Sequence, residues 1–387
     1  MKDGEVMKSF RIVIIFLAML LMIPPVHAET DIPFSISAEA AILMEAESGR
    51  ILYQKNEHEK KRIASITKIM TAILAIESGK LDEYVRISKR AEGVEGSSIY
   101  LRAGERMKLE DLVYGLMLRS GNDAAVAIAE HVAGSVEGFV FLMNEKAREL
   151  GMTNTVFQNP HGLDDHEDHY STAYDMAILT RYAMENETFR IISATKRHEV
   201  VVGNRKRIWT NKNRLLTELY RYSTGGKTGY TKRAKRTLVS TASKDGMDLI
   251  AVTLNAPSDW HDHMNLFNWA FESFTIERLV KKGIQKDIRD PFYRNRVYAR
   301  YSFEYPLSEE ERGRIKKEIT LYRPPDERKR KHYTPPNPVG KVTLKIDEET
   351  IGEVPLFFDE KELDGDRGIW FRFIEKIFFF SEGKRDD

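Results

Sequence analysis

Cysteine is absent from this 387-residue chain. Disulfides, thiolate nucleophiles and cysteine-based metal centres are therefore excluded. Excess charge is absent as well, with 60 lysines and arginines facing 59 aspartates and glutamates. That balance gives no electrostatic reason to expect nucleic acid as a partner. Internal repeats and low-complexity tracts are also missing. The longest uninterrupted apolar run, Ile12 to Ile23, is about a dozen residues, short of the roughly 20 that span a bilayer. Folding must rest on core packing, for which a hydrophobic content of 42% is ordinary.

What is present begins with a leader. Lys2, Lys8 and Arg11 precede the apolar run, and Pro24-Pro25-Val26-His27-Ala28 follows it. Small residues at 26 and 28 fit signal-peptidase cleavage after Ala28, so residues 1–28 read as a secretion signal. Cleavage removes three basic and two acidic residues and leaves 57 of each. The exported chain is formally neutral, so membrane attachment is expected to come from apolar contact rather than bulk charge.

Residues 29–276 alternate strand and helix signals. Ala40–Met44 and Arg50–Tyr53 flank Glu47-Ser48-Gly49, a hairpin pattern. An apolar helix is predicted from Ser65 to Glu77, with Gly79 at its C-terminus. Helical patterns follow at Leu109–Leu118, Ala124–Val132 and Val136–Leu150. Thr237–Ser243 and Met247–Asn255 form a second hairpin about Lys244-Asp245-Gly246. Hairpins at both ends with helices between predict an α/β (α+β) domain: one antiparallel sheet closed by its first and last strands, with helices on its faces. Residues 277–365 show short alternating runs, such as Val342–Ile346 and Val354–Phe358, and read as a small β-rich domain. Within it Arg323–Pro338, rich in proline and charge, reads as an exposed loop. In the last segment, 366–387, Ile369, Trp370, Phe373, Ile374, Ile377, Phe378 and Phe380 share one side at helical spacing. Arg372, Glu375 and Lys376 lie opposite. This is the pattern of an amphipathic helix in a membrane interface, the alternative being a terminal helix packed on the β domain.

Ser65-Ile66-Thr67-Lys68 is a Ser-x-x-Lys element. At i and i+3 of a helix the amine reaches the hydroxyl, and the first helical turn offers its backbone N–H and dipole. Nearby cations favour a neutral amine able to take the serine's proton. Alone the element is weak, because about one or two are expected by chance at this length. Ser193-Ala194-Thr195-Lys196 is another, and it does not open an apolar helix. Ser120-Gly121-Asn122 lies between two helical patterns, where a hydroxyl can relay a proton with Lys68 and a carboxamide can hold a substrate amide. Lys227-Thr228-Gly229 suits a peptide carboxylate on an edge strand: Lys227 brings charge, Thr228 a hydrogen bond and Gly229 room for the substrate backbone to lie close. The histidine-rich loop His161–His169 and His261-Asp262-His263 lack the i, i+4 spacing of a zinc protease, so no metal or other cofactor is expected.

The three elements in this order resemble those of penicillin-binding proteins and serine β-lactamases. The runs Ser120–Ala124, His161–Asp164, Ser171–Ala177 and Asn211–Leu216 are similar to low-molecular-mass D-alanyl-D-alanine carboxypeptidases. Arg62–Met70 and Tyr222–Tyr230 are most similar to the sporulation-type members of that family. The resemblance implies a β-lactamase/transpeptidase-like domain and a serine D,D-carboxypeptidase acting on peptidoglycan stem peptides. It implies Ser65 as nucleophile, Lys68 as base and Ser120 as proton relay. Asn122, Lys227, Thr228 and Gly229 would bind substrate, with an oxyanion hole from the N–H groups of Ser65 and Tyr230. Many relatives carry histidine where Tyr230 stands, which leaves that side chain's role open. β-Lactams should acylate Ser65. The alternatives on the same fold are a D,D-endopeptidase, a β-lactamase or a non-catalytic wall-binding protein. His161–Tyr174 lacks the Glu-x-x-x-Asn arrangement a β-lactamase would need, and the intact Ser65, Lys68, Ser120 and Lys227 speak against loss of catalysis. Export implies residence on the outer face of the cytoplasmic membrane.

Overall fold

The computed structural model describes residues 32–202 and 205–358. The expected leader at 1–28 and the expected tail helix at 366–387 lie outside the described residues. The hairpin about Glu47-Ser48-Gly49 is formed by β1 (Ala40–Glu45) and β2 (Ile51–Lys55). A 3₁₀ turn, Ala64–Thr67, feeds α1 (Lys68–Glu77), and Gly79 takes the positive φ that ends it. A ribbon of β3 (Tyr84–Arg86) and β4 (Arg106–Lys108) follows. Next come α2 (Leu109–Arg119), α3 (Asn122–Ala133), α4 (Val136–Glu149), α5 (Ala173–Glu185) and α6 (Glu187–Ala194). β5 (Arg197–Val202) and β6 (Arg205–Thr210) make a second ribbon. β7 (Ser223–Thr231), β8 (Lys235–Lys244) and β9 (Met247–Leu254) complete the main sheet, and α7 (Asp259–Ser273) crosses one face.

The sheet order is β2-β1-β9-β8-β7, antiparallel throughout, so β1 joins the last strands as the hairpin pattern predicted. The run Ala40–Met44 is continuously apolar because both faces of this sheet are covered. Ala40, Ile42 and Met44 enter the core shared with α1–α6, while Ala41 and Leu43 face Leu266, Phe267 and Ala270 of α7. β7 lies at the sheet edge, beside the turn that opens α1.

The chain then enters a second unit: β10 (Phe274–Val280), β11 (Gly283–Ile284), β12 (Val297–Ala299), β13 (Phe303–Ser308), the short α8 (Glu309–Arg312), β14 (Ile315–Leu321), β15 (Gly340–Ile346) and β16 (Glu349–Phe358). β10 pairs with β13, and the rest form a sheet ordered β11-β12-β16-β15-β14 around its own core of Val280, Tyr293, Val297, Val342, Leu344, Val354 and Leu356. Arg323–Pro338 connects β14 to β15 and contains a 3₁₀ turn, Glu327–His332. Among the described residues no single helix is long and apolar enough to cross a membrane.

Candidate active site

Ser65 sits in the 3₁₀ turn at the head of α1, and Lys68 is the first residue of the α-helix proper. Ala64, just before Ser65, takes φ +49, a left-handed conformation costly for a residue with a Cβ. The neighbours hold it there. Thr237 Oγ1 on β8 donates to Ile63 O at 2.9 Å. Gly162 packs so closely on Ala64 that an added Cβ would overlap the Ala64 carbonyl. Gly229 on β7 lies against the same turn, where a Cβ would stand 3.0 Å from the Ser65 nitrogen. What the missing Cβ of Gly229 admits is thus the turn carrying Ser65, a packing role distinct from the expected approach of a substrate backbone.

Lys68 is buried, and its Nζ has three neighbours: Ser65 Oγ at 3.0 Å, Asn122 Oδ1 at 2.7 Å and the His161 carbonyl at 2.6 Å. The last two oxygens only accept. A neutral amine here would give its two N–H groups to them and leave its lone pair for the Ser65 hydroxyl. Burial pushes the Lys68 ammonium well below its ordinary range; Lys227 and Lys212 add repulsion, and Asp123 opposes them.

Ser120 caps α2 in the left-handed region, with φ +64. Its Oγ lies 3.0 Å from Lys227 Nζ, which also donates to Thr228 O at 2.8 Å. Lys227 is buried too, and burial, then the charge of Lys212, lowers it to about 7. Asn122, expected to hold a substrate amide, has both ends of its carboxamide engaged, since Nδ2 donates to Glu95 O at 2.5 Å. Ser120, expected to relay with Lys68, is instead in contact with Lys227. Tyr230 is 64% exposed and stands one residue beyond Gly229 on the edge strand. These contacts bring Ser65, Lys68, Ser120, Asn122, Lys227 and Gly229 together at one place, although they come from segments far apart in the chain.

Four contributors were not recognised in the sequence. The His161 and Glu95 carbonyls act through the backbone, which no side-chain motif reveals. Asp123, fully buried, fastens the second motif by accepting from Ile99 N at 3.1 Å, Leu101 N at 3.0 Å and Ser98 Oγ at 2.6 Å. Lys212 reaches Ser97 Oγ at 3.1 Å on the rim. The second Ser-x-x-Lys pair is no dyad, because Lys196 is exposed while buried Ser193 accepts from Gly226 N at 2.9 Å and supports β7. The histidines serve the framework. His169 bonds Thr67 Oγ1 at 2.9 Å and accepts from Gln158 N at 3.0 Å, while His263 lies between Ser240 and Thr253.

Residues 26–258 match the D-alanyl-D-alanine carboxypeptidase family, and 276–362 match the C-terminal domain of penicillin-binding protein 5. The chain is 35% identical over 348 residues to the D-alanyl-D-alanine carboxypeptidase DacF of Bacillus subtilis, spanning 82% of this chain and 84% of that protein. It is 33% identical over 356 residues to DacC of Escherichia coli, 86% of each. Among solved structures, penicillin-binding protein 5 from Haemophilus influenzae superposes with a TM-score of 0.71 at 28% identity, covering 85% of this chain and 98% of that one. The chain belongs to the D-alanyl-D-alanine carboxypeptidase family and is a serine carboxypeptidase of the penicillin-binding fold.

Proposed function

We propose that the enzyme removes the terminal D-alanine of peptidoglycan stem peptides through an acyl-enzyme on Ser65, and that β-lactams acylate the same oxygen. The observation that carries this is the surroundings of Lys68, whose Nζ lies 3.0 Å from Ser65 Oγ and has the Asn122 Oδ1 and His161 carbonyl oxygens as its other two partners. Ser65 Oγ attacks the carbonyl carbon between the two D-alanines while Lys68 takes the hydroxyl proton. The N–H groups of Ser65 and Tyr230 stabilise the oxyanion. As the C–N bond breaks, the proton that Lys68 took from Ser65 passes by way of Ser120 to the departing amine, while Lys227 stays charged beside Ser120. Lys227 and Thr228 bind the terminal carboxylate, and Asn122 holds Lys68 in line. Water then releases the shortened peptide.

Three further parts belong to this reading. The leader exports the chain and is cleaved after Ala28. The tail at 366–387 lies in the outer face of the cytoplasmic membrane. The substrate is spore cortex, on the likeness of Arg62–Met70 and Tyr222–Tyr230 to sporulation-type relatives; cortex stem peptides unchanged in a strain lacking the gene would count against it.

The test is gel labelling with a fluorescent penicillin, beside release of D-alanine from a pentapeptide ending in two D-alanines. Wild type should label stably and release D-alanine. Ser65→Ala should do neither. An unlabelled wild type would sink the acyl-enzyme reading, and rapid loss of label would redirect it to a β-lactamase.

A further inference from the structure

We infer that the end of the C-terminal sheet opposite the peptidase unit is a docking surface for anionic phospholipid. This rests on the membrane reading of residues 366–387 and adds a second, electrostatic contact to it.

The topology defines that end. Arg50 of the peptidase unit donates to Glu311 Oε2 at 2.9 Å, so α8 marks the junction. β14 starts three residues later and runs from Ile315 to Leu321, roughly 20 Å at strand rise. Leu321 pairs with Gly340, Gly340 with Leu356, and the chain passes Phe358 just beyond. The loops 285–296 and 322–339 reach the same end, because Val297 pairs with Phe358 and Tyr322 follows β14. The last described residue, Phe358, is therefore at this end.

The two loops and the exit point share one aromatic cluster. Phe292 stacks on Phe358 with centroids 5.5 Å apart, and Tyr333 lies 6.0 Å from Phe292. Tyr293 donates to Tyr322 O at 2.8 Å. Cations crown the cluster: Arg330 lies 5.6 Å over Phe292 and Arg296 lies 4.6 Å over Phe358. Two buried nitrogens of Arg296 have no hydrogen-bond partner. Lys286, Arg289, Arg294, Arg323, Arg328 and Lys329 are exposed around it. Among the described side chains of the two loops, these eight cations face Asp287, Asp290 and Asp326. Asp287 is taken by Lys317 at 3.5 Å, and Asp290 accepts from Phe292 N at 2.8 Å. Tyr322, 57% exposed, adds an amphipathic ring of the kind that sits at a headgroup boundary. A chain with no bulk charge thus gathers cations where its aromatic tail departs. An anionic headgroup layer fits this, with charge for the arginines and an apolar boundary for the tail.

The experiment is sedimentation of the exported full-length chain with vesicles of phosphatidylcholine, alone or mixed with phosphatidylglycerol. Wild type should bind the mixed vesicles more tightly, and high salt should close the gap. Neutralising three exposed cations together (Arg323→Gln, Arg328→Gln and Lys329→Gln) should weaken binding to mixed vesicles about a hundredfold. Binding to phosphatidylcholine and penicillin labelling should stay unchanged, the latter reporting an intact fold. The control triple Lys89→Gln, Arg148→Gln and Lys206→Gln should have no effect. Equal wild-type binding to both vesicle types would overturn the proposal. So would an unaffected triple variant, or a variant that loses only its binding to purified anionic wall polymer. Deleting 366–387 separates the two readings. If the truncated chain binds neutral vesicles as the full chain does, the tail reading fails. If binding needs the tail yet ignores lipid charge, the cationic end alone is wrong.

Discussion

Lys212 rests its Nζ on Ser97 Oγ at the cleft rim, and its charge bears on both buried amines. Lys68 works as a base only when neutral, so activity rises with pH as its ammonium titrates, earlier than a free lysine would allow. Lys227 binds a carboxylate best when charged, so kcat/KM falls as pH passes about 7. Removing a neighbouring positive charge raises both values. Lys212→Gln should therefore move both limbs of the kcat/KM profile to higher pH at low salt. High salt should reproduce part of that shift in wild type. Limbs that stay fixed, or move to lower pH, would contradict this account. At this scale the motif residues were legible, because the serine, lysines and glycine carry their chemistry in their side-chain type. The carbonyls of Glu95 and His161 were not, since any residue could supply them.

At the scale of elements, neutral imidazoles buckle helices to sheet and loop. His263 on α7 joins Ser240 of β8 to Thr253 of β9, at 2.5 and 2.9 Å. His169 joins the turn at Thr67 to the loop at Gln158. Burial lowers His263, His169 and His161 to about 3; like charge from nearby His166 also acts on His169 and His161, and Lys68 on His161. The unfolded chain binds these protons near 6.5 and the folded chain only near 3, so the stabilisation is complete above 6.5 and lost as pH falls between those values. Each histidine makes stability slope upward with pH by about 1.4 kcal/mol per unit in that window. His263→Gln should flatten the slope of unfolding free energy between pH 4 and 6 by about that amount, measured by denaturant titration. An unchanged slope would show that His263 does not titrate on unfolding. The two hairpins of the main sheet were readable from turn residues between apolar runs. Of the β5–β6 ribbon only Val200–Val202 reads as a β-type run; β6 escaped because Ile208 and Trp209 stand among basic and polar residues.

At the scale of the whole molecule, Arg50 links the two units. Its guanidinium is bonded to Glu311 and to Pro306 O, and lies between the rings of Phe274 at 5.2 Å and Tyr305 at 5.1 Å. Both charged partners are mostly buried, so losing one leaves the other uncompensated. The separate cores give each unit its own stability. Arg50→Ala should therefore split thermal unfolding into two calorimetric transitions while leaving D-alanine release from a soluble peptide within about twofold of wild type. A single transition in the variant would mean that the linkage lies elsewhere.

The amino-acid sequence alone determined the α/β class, the order of the three motifs and the candidate nucleophile, because those depend on residue type and short spacing. The tertiary structure decided what each group does there. Ser65 and Lys68 are three residues apart, but Asn122 and His161 come from far along the chain to aim the amine. The repulsion that Lys227 exerts on Lys68, the tie of Ser120 to Lys227 and the gathering of cations around Phe358 all join segments remote in the chain. Coulomb energy and hydrogen bonding depend on distance in space, which only the closed sheet and its packed loops set.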